Sequence, residues 1–182
     1  LLEINRCAAR YFYENLNAKT PEAAMARRYW KEKRGLSDAA IRRFGLGYAP
    51  EDFGGLLHYL KRRGFSEEEL ETSGLVKRSA KGNLYDIFRH RVMVPIIDVR
   101  GAIIAFGGRV LDDSKPKYIN SPETMVYKKS RTLFALNVAK KSPNKRYILC
   151  EGYMDVISMH EAGFDTAVCA CGTALTPEQV KL

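Results

Sequence analysis

Two carboxylates, Glu151 and Asp155, have the spacing that best suits metal or acid–base chemistry in this sequence. Glu151 directly follows the apolar run 147–150, and Gly152 lets the backbone turn. We therefore expect the Glu151 carboxylate at the carboxyl edge of a parallel sheet, where open α/β folds bind ligands. Asp155 lies one helical turn further on, close enough to share a hydrated Mg²⁺ or to divide acid and base roles. The alternative is that Glu151 is solvated and Asp155 only complements a helix N-terminus.

A second candidate site lies between residues 106 and 122. The segment 106–109 ends a predicted strand with two glycines, which permit a ligand to approach the backbone closely, and Arg109 would face that ligand. The segment 115–122 is stiffened by two prolines and predicts phosphate contacts beside a stacking platform. Its polar and aromatic side chains are Lys115, Lys117, Tyr118 and Asn120. A solvated lysine loop is the alternative.

Further basic residues extend this stretch. Lys128, Lys129 and Arg131 lie ahead of a predicted helix, and the alternative to a binding role is that they solvate its start. Arg89 and Arg91 flank His90 before a predicted strand, where such side chains are more often surface than functional.

Composition and charge narrow the class of protein. The chain has 182 residues, 46% of them hydrophobic and 28% charged, which is typical of a globular protein and excludes disorder. Its net charge is +9, and residues 77–146 hold 16 Lys and Arg against 5 Asp and Glu. Residues 147–182 hold 1 Lys and no Arg against 5 Asp and Glu. A basic block beside an acidic one suits a protein that binds a polyanion next to a divalent metal, although a solubilising surface would look similar.

The sequence has no apolar run long enough to span a membrane and no signal peptide, so we expect a cytoplasmic protein without a membrane partner. Its four cysteines form no CxxC pair, so we expect no zinc site, and we expect Cys169 and Cys171 to be core residues. The chain begins without Met and ends just after a helix start at 176–179, which suggests part of a longer protein.

Two kinds of periodicity divide the chain. Up to about residue 75, helical spacing and caps predict short helices over 1–17, 21–34, 37–44, 54–63 and 66–71, with an extended piece at 46–50. Beyond it, strands are predicted over 84–88, 92–97 and 102–110, the last two forming a hairpin. A loop over 115–124 and a helix over 133–140 follow. The last part predicts a strand-helix-strand unit with buried parallel strands at 147–150 and 166–171 around a helix at 152–161.

Taken together, these segments resemble the bacterial replicative DNA primases of the DnaG type. The resemblance is colinear and rests on ordered motifs over most of the chain. They are Arg43-Phe44-Gly45-Leu46-Gly47-Tyr48-Ala49-Pro50, Arg91-Val92-Met93-Val94-Pro95-Ile96-Ile97-Asp98, Gly107-Gly108-Arg109-Val110-Leu111, Pro116-Lys117-Tyr118-Ile119-Asn120-Ser121-Pro122-Glu123-Thr124, Glu151-Gly152-Tyr153-Met154-Asp155-Val156 and Gly172-Thr173.

The resemblance implies a fold and a division of the chain. Residues 1–145 would form the basic N-terminal subdomain of the primase catalytic core, an α+β unit of short helices with a small mixed or antiparallel sheet. Residues 146–182 would form the first part of an α/β Toprim fold. The family's zinc module and helicase-binding module would lie outside this chain.

The resemblance also implies the activity, which is template-directed synthesis of short RNA primers from ribonucleoside triphosphates on single-stranded DNA. Phosphate or template contacts fall to the positions Arg91, Arg109, Lys117, Tyr118, Asn120 and Lys129. Glu151 would hold Mg²⁺ or Mn²⁺ together with an Asp-x-Asp pair that this sequence lacks, and Asp155 would support that acidic site. We therefore expect the chain by itself to be inactive.

Two other readings remain open at this point. The chain could be a single-stranded DNA-binding piece without catalytic activity, or part of another Toprim enzyme such as a topoisomerase or nuclease. For a primase we expect a replicative helicase as a further partner, reached through a module outside this chain, and a location at the replication fork near the nucleoid.

Overall fold

The computed structural model describes residues 1–172 and 174–182; Thr173, which closes the last motif, lies outside the described residues. The first 75 residues are mainly helical. The helices are α1 (Leu2–Leu16), α2 (Pro21–Arg28), α3 (Asp38–Arg43), α4 (Gly55–Lys61) and α5 (Glu67–Ser73). A π-helical turn, Tyr29–Lys33, extends α2. The hydroxyls of Thr20, Ser37 and Ser66 each accept the N–H three residues on, which is the capping that predicted these helix starts.

An antiparallel sheet takes its first strand from between α3 and α4 and its other strands from the residues after α5. Its strands are β1 (Gly47–Ala49), β4 (Arg91–Ile97), β5 (Ile103–Val110) and β6 (Tyr118–Asn120), in the order β1-β4-β5-β6. A separate antiparallel ribbon consists of β2 (Val76–Arg78) and β3 (Leu84–Asp86). The predicted hairpin between β4 and β5 is confirmed by its register, in which Arg91 lies opposite Val110. Helices with a small antiparallel sheet are the α+β arrangement expected for this part of the chain.

The last 50 residues build a second sheet. Its elements are β7 (Leu133–Phe134), α6 (Leu136–Ala139), β8 (Ile148–Cys150), α7 (Tyr153–Glu161), β9 (Ala167–Ala170) and α8 (Pro177–Val180). Strands β8 and β9 are parallel and joined by α7, which confirms the predicted strand-helix-strand unit. β7 pairs antiparallel with the other side of β9, so this sheet takes one strand from ahead of residue 145.

Three local predictions are wrong. The predicted loop over 115–124 contains β6, because Tyr118–Asn120 pairs with the open edge of β5 and these tertiary hydrogen bonds outweigh the turn-forming composition. The predicted helix over 133–140 begins as β7 and becomes helical only after Ala135, whose φ of 64° is left-handed. The strand at 147–150 is not fully buried, since the Leu149 side chain is 55% exposed. The ribbon strand β2 was not predicted.

One hydrophobic core joins the two sheets. Trp30 and Tyr127, both fully buried, belong to the same core cluster as Val92 of β4, Val156 of α7 and Cys169 of β9. Cys169 and Cys171 are both buried, as expected of small core residues. Because α7 and the antiparallel sheet share this core, the turn at Glu151 is held in a fixed position relative to β5 and β6. No helix in the described part of the chain has the length and apolar character to cross a membrane.

A buried carboxylate, Asp86, makes the stability of this fold depend on pH. Its two oxygens accept the N–H groups of Leu56 and Leu57 at 2.8 and 2.9 Å, at the start of α4. Burial raises the pKa of Asp86 to about 6, and these two hydrogen bonds oppose that shift without cancelling it. The folded state therefore holds a proton that the unfolded chain releases at lower pH.

We expect this proton to stabilise the fold fully below about pH 4, the unfolded pKa, and its contribution to be lost as the pH rises through about 6. Urea denaturation should show the free energy of unfolding of the parent falling by about 2–3 kcal/mol over this range relative to Asp86→Asn, which cannot titrate. Asp113→Asn, at an exposed position, serves as the control. A difference between parent and Asp86→Asn that does not change with pH would contradict this expectation.

Candidate nucleic-acid and metal site

A cavity of 560 Å³ opens where the two sheets meet. Five of the eight predicted site residues line it. They are Tyr118, Asn120, Lys129, Glu151 and Asp155. Arg109, Arg91 and Lys117 do not line the cavity, and each has a different environment, described below. The structure thus brings the acidic turn and part of the basic stretch to one place, although Tyr118 and Asn120 lie 31 to 37 residues ahead of the two carboxylates in the sequence.

The acidic wall of the cavity is the turn between β8 and α7. Glu151 follows the last residue of β8 and is exposed, with no hydrogen bond or ion pair to another side chain among the described residues. Asp155 has a structural contact as well, because its Oδ2 accepts the Gly152 N–H at 3.1 Å and so caps α7. Asp155 therefore caps the start of α7, which is the role that the alternative reading of the sequence gave it. Glu151 is the carboxylate left available to a ligand.

The edge strand β6 also lines the cavity. Tyr118 pairs with Arg109 and Asn120 pairs with Gly107 across the β5–β6 ladder, so Tyr118 and Asn120 share one face of the sheet. Tyr118 is 47% exposed, which leaves much of its ring accessible to a ligand. The strand that the sequence did not predict is thus the element that positions two of the predicted site residues.

Lys129 is held by its backbone rather than by its side chain. Its N–H donates to Glu123 Oε1 at 2.8 Å, and its carbonyl accepts a hydrogen bond from Gln179 Nε2 at 2.8 Å. Gln179 is buried in α8 and also donates to the Thr132 carbonyl at 2.7 Å. The short helix at the end of the chain therefore fixes the turn that presents the Lys129 ammonium to the cavity.

Arg109 lies between two tyrosine rings beside the cavity. Its guanidinium carbon is 4.9 Å from the Tyr29 ring centroid and 5.8 Å from that of Tyr118, within the range of cation–π contacts. Arg109 is only 8% exposed, its Nη1 donates to the Val110 carbonyl at 2.7 Å, and its Nε has no hydrogen-bond partner within residues 1–172 and 174–182. No carboxylate within the described residues forms an ion pair with it. The charge of this buried guanidinium is therefore uncompensated.

Arg91 and Lys117 meet at the loop before β6. Arg91 is 7% exposed, and its guanidinium donates to the carbonyls of Pro116 at 2.9 Å and Lys117 at 3.3 Å. Burial is the main cause that lowers the pKa of Arg91. Arg91 thus fixes the backbone of this loop, whereas the Lys117 side chain is exposed at its surface.

Arg34 lines the cavity and was not singled out from the sequence. It follows the π-helical turn after α2, and its Nε donates to the Tyr29 hydroxyl at 2.7 Å. Its guanidinium carbon is 5.3 Å from the centroid of the same ring that Arg109 contacts. The only sequence signal was a basic residue at a helix end, which usually complements the helix dipole. Its place in the cavity depends on tertiary packing.

The cysteine and tyrosine behind the carboxylates are not suited to nucleophilic or acid–base chemistry. Burial raises the pKa of Cys171 to about 11 and raises that of Tyr153 as well, so both stay protonated near neutral pH. No group of three or more His, Cys, Asp or Glu side chains among residues 1–172 and 174–182 could by itself hold a metal ion. The chemistry open to the cavity is therefore binding of an anion by cationic and amide groups beside one free carboxylate.

Gly107 couples the antiparallel sheet to the carboxylate turn. A Cβ at this position would lie 2.6 Å from Tyr153 Cε2 and 3.2 Å from Asn120 Oδ1. Tyr153 is the first residue of α7, two positions after Glu151, and its ring also packs on Phe134 with centroids 4.9 Å apart. We therefore expect Gly107→Ala to lower the free energy of unfolding by about 1–3 kcal/mol, measured in urea. Gly172→Ala is the matched control, since among the described residues no atom beyond its chain neighbours lies within 4 Å of the added Cβ. Equal losses in both variants would contradict the coupling.

Comparison with protein families gives two matches that together cover most of the chain. Residues 11–140 match the family described as DNA primase catalytic core, N-terminal domain, and residues 145–182 match the Toprim domain. The DNA primase of Clostridium acetobutylicum is 47% identical over all of this chain, and that of Deinococcus radiodurans is 46% identical. The chain spans 30% and 31% of these two relatives.

Solved structures show the same similarity. The RNA polymerase domain of the Mycobacterium tuberculosis primase, crystallised with a double-stranded DNA oligomer that has a 6-nucleotide overhang, is 40% identical with a TM-score of 0.90. The alignment covers 99% of this chain and 56% of that one. A DnaG primase catalytic domain bound to single-stranded DNA is 38% identical with a TM-score of 0.89, over 99% and 58% of the two chains. The chain belongs to the family of the DNA primase catalytic core, N-terminal domain, and continues into a Toprim domain.

Proposed function

We propose that this chain is the part of a DNA primase that holds template and nucleotide phosphates against a metal-binding carboxylate during synthesis of short RNA primers. The observation that supports this proposal is the cavity that Tyr118, Asn120, Lys129 and Glu151 line together. Membership of the primase family and the two DNA-bound structural relatives favour the same activity. A topoisomerase or nuclease is not favoured, because the primase-specific match covers residues 11–140.

We assign the polyanion to the wall formed by β6 and the turn at Lys129. The Lys129 ammonium and the Asn120 amide can donate to phosphate oxygens, and the exposed Tyr118 ring offers a base a surface for stacking. The uncompensated guanidinium of Arg109 attracts an anion to the same wall. Lys117 extends the contacts along the loop, which Arg91 holds in place through carbonyls.

We assign the metal to Glu151, with Asp155 beside it. Mg²⁺ prefers oxygen ligands and is usually held by one or two carboxylates together with waters and substrate phosphates, which fits the donors present here. A bound Mg²⁺ or Mn²⁺ would supply charge stabilisation for a triphosphate. Glu151 would contact this ion directly, and Asp155 would orient the turn through its hydrogen bond to Gly152.

The proposal extends to the whole protein. We place it in the cytoplasm near the nucleoid, at the replication fork, with ribonucleoside triphosphates as substrates and a replicative helicase as partner. We also propose a division into a basic unit of residues 1–145 and a Toprim unit from residue 146. The limits of the family matches, at 140 and 145, support this division, although β7 joins the second sheet from ahead of it.

The chain by itself is expected to bind single-stranded DNA without making primers. Two carboxylates line the cavity, and the described residues provide no third metal ligand near them. This binding-only behaviour is the second candidate function, and it concerns the isolated chain rather than the whole protein.

Primer synthesis by the full-length protein tests the proposal. With a single-stranded template, labelled ribonucleotides and Mg²⁺, we expect short RNA products whose sequence is complementary to the template. Product that forms equally well without template, or no product with any template and either divalent metal, would contradict the proposal.

A further inference from the structure

Two side chains at the start of α8 hold the turn that carries Lys129. Thr176 and Gln179 form a capping box, in which the Thr176 N–H donates to Gln179 Oε1 at 2.9 Å and the Gln179 N–H donates to Thr176 Oγ1 at 3.1 Å. Both side chains also bond to the 3₁₀ turn Lys129–Arg131, where the Thr176 hydroxyl donates to the Ser130 carbonyl at 2.6 Å. One capping box therefore serves its own helix and a distant turn.

Both N–H groups of the Gln179 amide are committed to this turn. They meet the carbonyls of Lys129 at 2.8 Å and Thr132 at 2.7 Å, while Oε1 accepts the Thr176 N–H. Gln179 is only 2% exposed, so water has little access to replace a lost partner. The helix start and the turn are thus fixed to each other, although Gln179 lies 47 to 50 residues after the carbonyls it binds.

The turn depends on these outside contacts because it is too short to define itself. It has three residues, and 3₁₀ geometry gives poorer hydrogen bonds than an α-helix. The Thr132 N–H reaches the Lys129 carbonyl only at 3.4 Å. Glu123 supplies a further contact, since its Oε1 accepts the Lys129 N–H at 2.8 Å. The backbone of Lys129 is therefore fixed by Glu123 at its N–H and by Gln179 at its carbonyl.

The Lys129 ammonium has no ionic partner that would orient it. It forms no ion pair with a carboxylate of the described residues, whereas the ammonium of Lys128 lies 3.8 Å from Glu123 Oε2. Lys129 is half-buried and lines the cavity. Because a lysine side chain is flexible, its reach toward a phosphate depends on where its backbone is held.

We propose that Gln179, assisted by Thr176, is a positioning residue for the template-phosphate contact of Lys129, so that loss of the Gln179 amide removes this contact while Lys129 itself is unchanged. The inference rests on the proposed function, because it requires that Lys129 binds a phosphate. The capping box of α5 differs in this respect. Its members, Ser66 and Glu69, bond to each other and to no distant carbonyl of the described residues.

Affinity for single-stranded DNA, measured by anisotropy on single and double variants of the full-length protein, tests this inference. We expect Gln179→Met, which keeps the length of the side chain without its amide, to weaken binding about tenfold at low salt, as Lys129→Ala does. In the Lys129→Ala protein the same change should cost less than about twofold, because the contact is already lost. In the Lys117→Ala protein it should again cost about tenfold, since Lys117 lies on the loop that Arg91 holds.

Salt dependence shows whether the lost contact is ionic. Gln179→Met should reduce the slope of log K against log salt by about 0.7, and it should leave the slope of the Lys129→Ala protein unchanged. A change that only loosened the fold would lower the affinity at every salt concentration and keep the parental slope.

Thr176 provides a milder second variant. Thr176→Val keeps the shape of the side chain but removes its hydroxyl, and we expect it to weaken binding by about 2- to 10-fold. Thr176→Ser keeps the hydroxyl and should retain the parental affinity. Thr20→Val is the matched control, because it removes the cap of α2, whose hydroxyl accepts the Ala23 N–H at 3.2 Å, and it should leave the affinity unchanged. Circular dichroism and urea midpoints establish which variants are folded.

The outcomes separate this inference from the proposed function. If Lys129→Ala weakens binding but neither Gln179→Met nor Thr176→Val does, Gln179 serves only the fold, and the inference is overturned while the proposed function stands. The same conclusion follows if Gln179→Met costs equally much in the Lys129→Ala and Lys117→Ala proteins. If Lys129→Ala changes neither the affinity nor the slope, there is no phosphate contact to position, and both the inference and the assignment of Lys129 fail.

Discussion

Glu151→Gln in the full-length protein is expected to reduce primer synthesis by about 10³-fold while leaving affinity for single-stranded DNA within about twofold. Glutamine keeps the size of the side chain but removes the charge that would bind a divalent metal. Because Glu151 has no hydrogen bond or ion pair to another side chain in the described part of the chain, its replacement should not disturb the fold. The loss should therefore appear in synthesis and not in binding.

Template-dependent incorporation of labelled ribonucleotides and anisotropy of a labelled template measure the two quantities. Glu178→Gln, which changes another exposed carboxylate of the same part of the chain, should behave as the parent does. A Glu151→Gln enzyme that makes primers at the parental rate would contradict the metal assignment. Equal losses of synthesis and template binding would contradict it too, because they would place Glu151 in template binding.

Arg109→Met is expected to lower single-stranded DNA affinity by at least about tenfold while changing the free energy of unfolding by less than about 1 kcal/mol. The variant loses the cation–π contacts with Tyr29 and Tyr118, but it also removes a desolvated charge that no carboxylate of the described residues compensates. These two effects on stability oppose each other. Bound DNA would no longer contact the Arg109 cation beside the exposed Tyr118 ring, on which a base would stack.

Two measurements on the same preparations test this prediction. Anisotropy gives the affinity for single-stranded DNA, and urea denaturation gives the free energy of unfolding. Arg100→Met is the control, because Arg100 is exposed at the β4–β5 turn and pairs with Asp98 at 3.1 Å. Arg109→Lys should not restore affinity fully, since an ammonium cannot stack as a planar guanidinium does. A strongly destabilised Arg109→Met protein, or one that binds DNA as the parent does, would show that Arg109 serves the fold instead.

The parts of the fold that were predictable are those specified by local signals. Caps at Thr20, Ser37 and Ser66 fixed three helix starts, and the apolar runs on either side of α7 predicted the parallel pair β8 and β9. The acidic turn was predictable for the same reason. Glu151 follows a strand and precedes a helix, and that order alone places a carboxylate at the carboxyl edge of the sheet.

The remaining parts depend on contacts between distant segments. Tyr118–Asn120 has the composition of a loop and becomes β6 only because β5 offers an unpaired edge. Arg91 and Arg109 look alike in sequence, both being arginines within strands of the basic stretch. Packing gives Arg91 backbone carbonyls as partners and leaves Arg109 between two rings. Arg34 enters the cavity because the π-helical turn packs beside β5, which no spacing in the sequence indicates.

The central claim is that Lys129, which lines the cavity with Tyr118, and Lys117, on the adjacent loop before β6, bind the phosphates of a single-stranded template. Anisotropy of a labelled single-stranded oligonucleotide across a salt series, comparing the parent with Lys117→Ala/Lys129→Ala, tests it most directly. We predict a slope of log K against log salt of about −0.7 per phosphate contacted, smaller by about 1.4 in the double variant, with Lys19→Ala/Lys81→Ala as the matched control. Affinity that does not depend on salt, or equal slopes in the parent and the Lys117→Ala/Lys129→Ala variant, would contradict the claim.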